Sequence, residues 1–340
     1  MISKKKLIAC TLALMLCGGA VFAKQAQETI SVAYENIKLL IDGKEITPKD
    51  AGGQTVEPFI YDGTTYLPVR AIGEALGKTV GWDADTHTVS IQGTPQPTKP
   101  PAVPSGSGAT FQYGDLIYEN PLASEQDVKD FVMEGDASVT FENGKMRMKN
   151  NLDASLGQAS NFVFWCNQKF PDSIAVEWEF RPIEEPGLAI MFFSANGQNG
   201  KGLFDPSLAK RTGQYKQYHS SDIDAFHVSY YRHSEESERG FRLCNLRKSA
   251  GFHMVAQGAD PLAPVEDVKQ PYKIRIIKDK EIVQFFLYDP VTDTEVKAFE
   301  FVDDGTTYGD LLEGGYIGFR QKSPLVAEYS NLKVYNVTRR

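Results

Sequence analysis

Short runs of alternating apolar and polar residues crowd into residues 109–340. "IAVEWEF" (174–180), "AFHVSYY" (225–231), "YKIRIIKD" (272–279), "IVQFFLYD" (282–289) and "YIGFRQ" (316–321) all read this way. Period two is the mark of strands with one face on a core. "LKVYNV" (332–337) closes the series. Turn signals such as Glu142-Asn143-Gly144 and Asp303-Asp304-Gly305 separate the runs. Helical periodicity in this region is nearly confined to "SEQDVKDFVMEG", with Ser124 as candidate cap. Many short strands in series predict a mainly β fold, a large two-sheet jelly-roll sandwich.

A different pattern precedes it. "GTPQPTKPPAVPSGSG" (93–108) has no apolar period and is rich in Pro, Gly and Ser, so it predicts an extended linker. Upstream, "IKLLIDGKEI" and "PFIYDGTTYLPVR" carry Asp-Gly turns at Asp42-Gly43 and Asp62-Gly63. "AIGEALG" predicts one short helix stopped at Gly77, and "KTVGWDADTHTVSIQG" two more strands. The expected organisation is a leader at 1–23, a small α+β unit at 28–93, a linker at 94–108 and the sandwich at 109–340.

The leader reads as an address. Lys4, Lys5 and Lys6 precede an apolar run from Leu7 to Leu16, and Val21-Phe22-Ala23 suits a signal peptidase. The run is short for a membrane span, which needs about 20 residues, so no span is expected after cleavage. "LIAC" (7–10) resembles a lipoprotein box but lacks an apolar stretch before it. The expected location is outside the cell, secreted or held at its surface. Cys10 and Cys17 leave with the leader. Cys166 and Cys244 remain, in apolar runs where free buried cysteine is common, and a disulfide between them is the less favoured reading.

Composition adds one exclusion. The net charge is −8 with no basic stripe, which argues against nucleic acid, whose binding rests on Lys and Arg neutralising phosphates. No P-loop, Rossmann fingerprint or GxSxG stretch is present. No cofactor is expected, although calcium sites leave little sequence trace and are not excluded.

The candidate chemistry lies in "HSSDIDAFHVSYYRH" (219–233), which holds three of the five histidines. As a strand it splits in two. Phe226, Val228 and Tyr230 face a core, and His227, Ser229, Tyr231 and His233 face outward as a polar row. "FRLCNLRK" is the expected antiparallel neighbour, bringing Arg242, Asn245, Arg247 and Lys248, and "GFHMVAQG" adds His253. Proton abstraction next to a uronate carboxylate needs a base and a group that neutralises the carboxylate. His219 or His227 supplies the first, and Arg247, Lys248 or Asn245 the second. A glycoside hydrolase would need two carboxylates about 5–9 Å apart, and Glu177 and Glu179 share a strand face. A binding module without chemistry would stack Trp165, Tyr231 and arginines on sugars. The histidine spacing fits no zinc signature, and no metal site is expected.

Two resemblances follow from quoted stretches. "DGTTYLPVRAIGEALG" with "VGWDADTHTVSI" resembles the copper amine oxidase-like N-terminal domain. That implies a non-catalytic stalk or attachment unit, with the cell wall as its expected partner. Its only histidine, His87, cannot form a copper site alone. "LFDPSLAKRTGQY", "CNLRKSAGFHMVAQGADPL" and "DDGTTYGDLLEGGYIGFRQ" resemble the YesU-like family, implying a concanavalin A-like sandwich without assigned activity. The resemblance implies a setting in pectic, rhamnogalacturonan-type polysaccharide use. It matches Tyr218, His219, Asp222, His227, Ser229, Arg232, Asn245, Arg247, Lys248 and His253. Glu177 has no counterpart, which weakens the hydrolase reading. The expected site is therefore His219, His227 and Arg247 for chemistry, with Tyr218, Tyr231, Asn245, Lys248 and His253 for substrate binding.

Overall fold

In the computed structural model, residues 29–41, 44–50, 54–76, 78–83, 88–93, 107–234 and 242–340 are described. The leader, the Asp42-Gly43 turn, Gly77, His87 and linker residues 94–106 lie outside them. Two compact units divide the chain, Met1–Gln96 and Pro97–Arg340.

The first unit is small and α+β. Its described strands pair as Leu39–Ile41 with Lys44–Ile46, Phe59–Tyr61 with Thr64–Tyr66, and Lys78–Asp83 with Thr88–Gly93. Asp62 and Gly63 take φ of 47° and 70°, the left-handed pair that a two-residue hairpin turn demands. The helix Val69–Ala75 packs on the third hairpin. Contact there is so close that a Cβ on Gly73 would lie 2.2 Å from Val80 Cγ2.

The second unit is a sandwich of two antiparallel sheets. Among the described residues one sheet has eight strands. Its centre is Val326–Arg339, flanked by Ile174–Glu184 and Lys145–Asn150, with Phe111–Asn120 also on its edge. Tyr272–Asp279, Ile282–Asp289 and Thr294–Val302 extend one side, and Ala137–Glu142 ends the other. Among the described residues the second sheet has seven strands, in the order His253–Ala259, Leu243–Ser249, Ile223–His233, Gly187–Gly197, Tyr316–Lys322, Phe162–Cys166, Val132–Glu134. The inward alternate residues of both sheets form the main core, including Trp178, Phe180, Phe226, Val228, Tyr230, Ile274, Phe285 and Phe319. The expected "SEQDVKDFVMEG" helix shrinks to one 3-10 turn, Glu125–Val128. Asp127 Oδ2 accepts from the Ser124 backbone N–H at 2.8 Å. Cys166 and Cys244 are both buried and free.

Two local features correct the simple alternation. Tyr231 takes a φ of 47°, and the pairing with Gly187–Gly197 slips between Gly187 and Ala189. This bulge turns Tyr230 and Tyr231 both into the core. Second, the outer face of the seven-stranded sheet is not simply polar. Val163, Trp165, Ile190 and Phe192 point outward there and form a second apolar cluster with Leu203 and Tyr218. The segment 198–222 lies over them as a roof.

The sheets meet closely at one edge. A Cβ on Gly258, in the last strand of the seven-stranded sheet, would sit 1.6 Å from the carbonyl oxygen of Ala298 in the facing edge strand. The Gly258→Ala substitution is expected to destabilise the unit by about 1–3 kcal/mol through overpacking. Denaturant unfolding at constant m-value checks this.

Candidate functional site

The roof covers only part of the outer face, and where it ends a cluster of rings and guanidinium groups begins. His227 lies at its base, flat on Phe192 with ring centroids 5.2 Å apart. Both imidazole nitrogens are engaged: Nδ1 with Tyr215 Oη at 2.7 Å and Nε2 with Ser249 Oγ at 3.0 Å. Burial, then the nearby Arg247, holds the His227 pKa well below the usual histidine value. Burial likewise raises the Tyr215 phenol, so both partners of this hydrogen bond are uncharged at neutral pH. His227 is thus a buried post that fixes Tyr215, rather than an outward base.

Tyr215 carries the next layer. Arg320 lies with Cζ 4.5 Å from its ring centre, and Arg320 Nη2 donates to Gln158 Oε1 at 3.0 Å. The same Gln158 oxygen accepts from the Tyr215 backbone N–H at 3.1 Å. On the open side stands Phe252, 40% exposed. Its ring centre is 5.6 Å from Tyr215, 4.3 Å from the His219 ring and 3.8 Å from Arg247 Cζ. His219 Nδ1 contacts Ser220 Oγ at 2.7 Å. Burial, with Arg247 and Arg320 adding repulsion, lowers the His219 pKa to about 4. At neutral pH this imidazole is unprotonated and able to accept a proton.

Asn245 and Ser229 continue the outer face, paired across strands. With its amide oxygen toward Arg232, Asn245 accepts from Nη1 at 2.9 Å. The structure therefore brings His219, His227, Arg247 and Asn245 to one face.

The other expected residues lie elsewhere. Tyr218 is buried in the roof, 5.4 Å from the Phe192 ring, and its hydroxyl accepts from the Gly213 N–H. Asp222 accepts from the Ala209 N–H at 2.6 Å and closes the roof. Tyr231 points inward and donates to Glu185 Oε2 at 2.5 Å. His233 stacks on it at 4.1 Å and meets the same Glu185 oxygen at 3.0 Å. Lys248 also points inward, because it pairs with Phe226 rather than His227. Its ammonium is buried against Asp303 at 2.6 Å and the carbonyls of Gly309 and Asp310. His253 sits opposite Lys248, 5.4 Å from the Tyr308 ring. Trp165 is fully buried and donates to Glu134 Oε2. Glu177 and Glu179 are on the outer face of the other sheet. Among the described residues no group of three or more His, Cys, Asp or Glu is arranged to hold a metal ion.

Tyr215, Phe252, Arg320 and Gln158 escaped the sequence reading. Arg320 was within reach: in "YIGFRQ" it alternates with the core residues Ile317 and Phe319. Tyr215 stands in a roof with no period, where nothing in the sequence marks it.

Comparison with known proteins settles the family. The profile described as "Domain of unknown function (DUF1961)" matches residues 115–334. The chain belongs to this family. The copper amine oxidase N-terminal domain profile matches residues 41–98. The uncharacterized protein YesU of Bacillus subtilis (strain 168) is 46% identical over 230 residues, 68% of this chain and all of that protein. A crystal structure of a protein of unknown function with galectin-like fold from Bacillus subtilis is 47% identical. It covers 68% of this chain and 100% of that chain, with a TM-score of 0.64. The large unit is thus a lectin-like jelly roll of a family without assigned chemistry.

Two predictions follow from the burial. Lys248→Met leaves Asp303 buried without its cation, at an expected cost of about 3–5 kcal/mol, measured by chemical unfolding. The imidazoles of His219 and His227 have folded pKa values below their unfolded value. The unfolded chain therefore binds more protons below about pH 6.5, so stability is full above that pH and falls as the pH drops. Each contributes a slope of up to about 1.4 kcal/mol per pH unit. Unfolding of His227→Phe between pH 4.5 and 7 should show a shallower slope than the wild type; an unchanged slope removes His227 from this account.

Proposed function

We propose that the large unit holds an acidic polysaccharide, of pectic or rhamnogalacturonan type, on the shelf formed by Phe252, His219, Tyr215 and Arg247, with the buried Arg320 bracing Tyr215 from beneath. The supporting observation is an exposed aromatic ring with a neutral imidazole and a guanidinium within 4.3 Å of its centre. Sugar rings present apolar C–H faces to aromatic rings and hydroxyls to polar groups. Arginine guanidinium groups suit carboxylates, since their planar donors match both oxygens. In this reading the protein is secreted or surface-held, and the small unit is a stalk toward the cell wall.

Where the shelf acts on the polymer, the reaction is β-elimination. His219 takes the C5 proton next to the uronate carboxyl, and Arg247 stabilises the negative charge that develops on that carboxylate; the C4–O glycosidic bond then breaks as the C4=C5 double bond forms, and the departing oxygen takes a proton from water. The imidazole of His219 is in its basic form across the neutral range and so is available to take that proton. The binding-only alternative keeps the same contacts and lacks the proton transfer.

Titration with polygalacturonate and rhamnogalacturonan fragments distinguishes these outcomes. Arg247→Ala and Phe252→Ala are each expected to weaken binding roughly ten-fold, about 1.4 kcal/mol, and added salt should weaken the wild type. Equal affinity of both variants and the wild type would remove the shelf from the proposal. Under β-elimination, the ultraviolet absorbance of unsaturated uronate rises with time, His219→Ala abolishes the rise, and kcat/KM falls only as the pH approaches about 4. Binding without absorbance change leaves the lectin-like reading.

A further inference from the structure

The outer face of the eight-stranded sheet carries a second hollow, remote from the shelf because the sandwich core separates them. Its volume is about 350 Å³, at the small end of the range of ligand pockets, roughly 300–1,000 Å³. Two cross-strand rows build it. In one, Lys333 faces Glu177, Glu177 faces Arg275 and Arg275 faces Phe286. In the other, Glu179 faces Lys273, Lys273 faces Tyr288 and Tyr288 faces Glu295. A row of exposed alternating charges is ordinary on a solvated sheet, where such pairs contribute little. Three features here go beyond that.

First, rings wall the hollow. Phe286, Tyr288 and Tyr335 line it, and Tyr113 packs edge-on against Tyr335 at 5.0 Å. Second, these rings are braced. Arg275 Cζ lies 4.3 Å from the Phe286 ring centre and Lys273 Nζ 5.6 Å from that of Tyr288. Third, the carboxylates are held by one oxygen each. Glu177 Oε1 accepts from Tyr113 Oη at 2.6 Å. Glu179 Oε2 accepts from Ser330 Oγ at 2.8 Å and Asn331 Nδ2 at 2.9 Å. Glu179 Oε1 and the Lys273 ammonium have no hydrogen-bond or ion-pair partner among the described residues. An acceptor and a donor that the protein itself leaves unused face one hollow between aromatic walls.

The charge balance names the ligand class. Lys273, Arg275 and Lys333 are matched by Glu177, Glu179 and Glu295. A site with no net charge gains nothing from a polyanion. Fixed donors and acceptors side by side match vicinal hydroxyls, which donate and accept together, and the rings match the apolar face of a sugar. We propose that this hollow is a second glycan-binding site, selective for neutral oligosaccharides of one to three rings. It contrasts with the arginine-lined shelf on the opposite sheet, and it stands whether or not the shelf binds acidic polymer.

The full chain, labelled with nitrogen-15, is titrated with neutral oligosaccharides (cello-, xylo- and mannotrioses), and a uronate trimer serves as comparison. Saturable shifts confined to residues of the eight-stranded sheet's outer face are expected with at least one neutral trimer. Tyr288→Ala and Glu179→Gln should each weaken that binding at least about five-fold, while Arg247→Ala leaves it unchanged. Both substituted side chains stand at the surface, and an unchanged amide spectrum elsewhere shows that the fold is retained. Absence of saturable shifts with every neutral trimer at about 10 mM overturns the proposal. So does tighter binding of the uronate trimer in the hollow, or indifference to both substitutions.

Discussion

The seven-stranded sheet is apolar on both faces, and this single constraint organises the site. Phe164, Met191 and Phe319 fill the sandwich core, while Val163, Trp165, Ile190 and Phe192 point the other way. A sheet with two apolar faces cannot stand against water on either. The segment 198–222 answers that need. Leu203 and Tyr218 bury the tryptophan and phenylalanine, and Arg211 closes the far side on Glu134 at 2.8 Å. Covering the apolar half delivers Tyr215 and His219 to the polar half. The shelf is therefore a by-product of hiding Trp165 and Phe192.

Electrostatics then separates the two outer faces. On the shelf, burial and neighbouring guanidinium groups keep both imidazoles uncharged, so the positive charge beside them comes from Arg247 and Arg320, with Lys216 adding to it at His219. On the eight-stranded sheet, acids and bases alternate in register and cancel. One sandwich thus presents two surfaces of different charge, because its two sheets solve different problems: one needed a roof and the other did not.

Much of the architecture was legible in the sequence. Period-two runs located the strands that form both sheets, and the Asp62-Gly63 turn of the small unit was visible from its residue types. The half of the 219–233 stretch that faces the core was also legible in Phe226, Val228 and Tyr230. What alternation could not show was its own interruption. A bulge at Tyr231 swings that ring inward. Lys248, by contrast, obeys alternation: it lies next to the outward Arg247 and pairs with the core residue Phe226, so it points inward. Nor does period two distinguish an outward face that meets water from one that meets another layer. Hence Trp165 and Tyr218 read as ligand contacts and proved to be packing. Phe252 follows a tight turn and shows no pattern at all, although it is the most exposed ring of the shelf.

The roof has a closed neck. Gln198 N–H donates to the Asp222 carbonyl at 2.9 Å, so the segment leaves and re-enters the sandwich at one point. Such a loop can change length at small entropic cost, roughly 0.6 kcal/mol for each doubling. A change of length within it would move Tyr215 and His219, which it carries, while the strands beneath keep their own ladders.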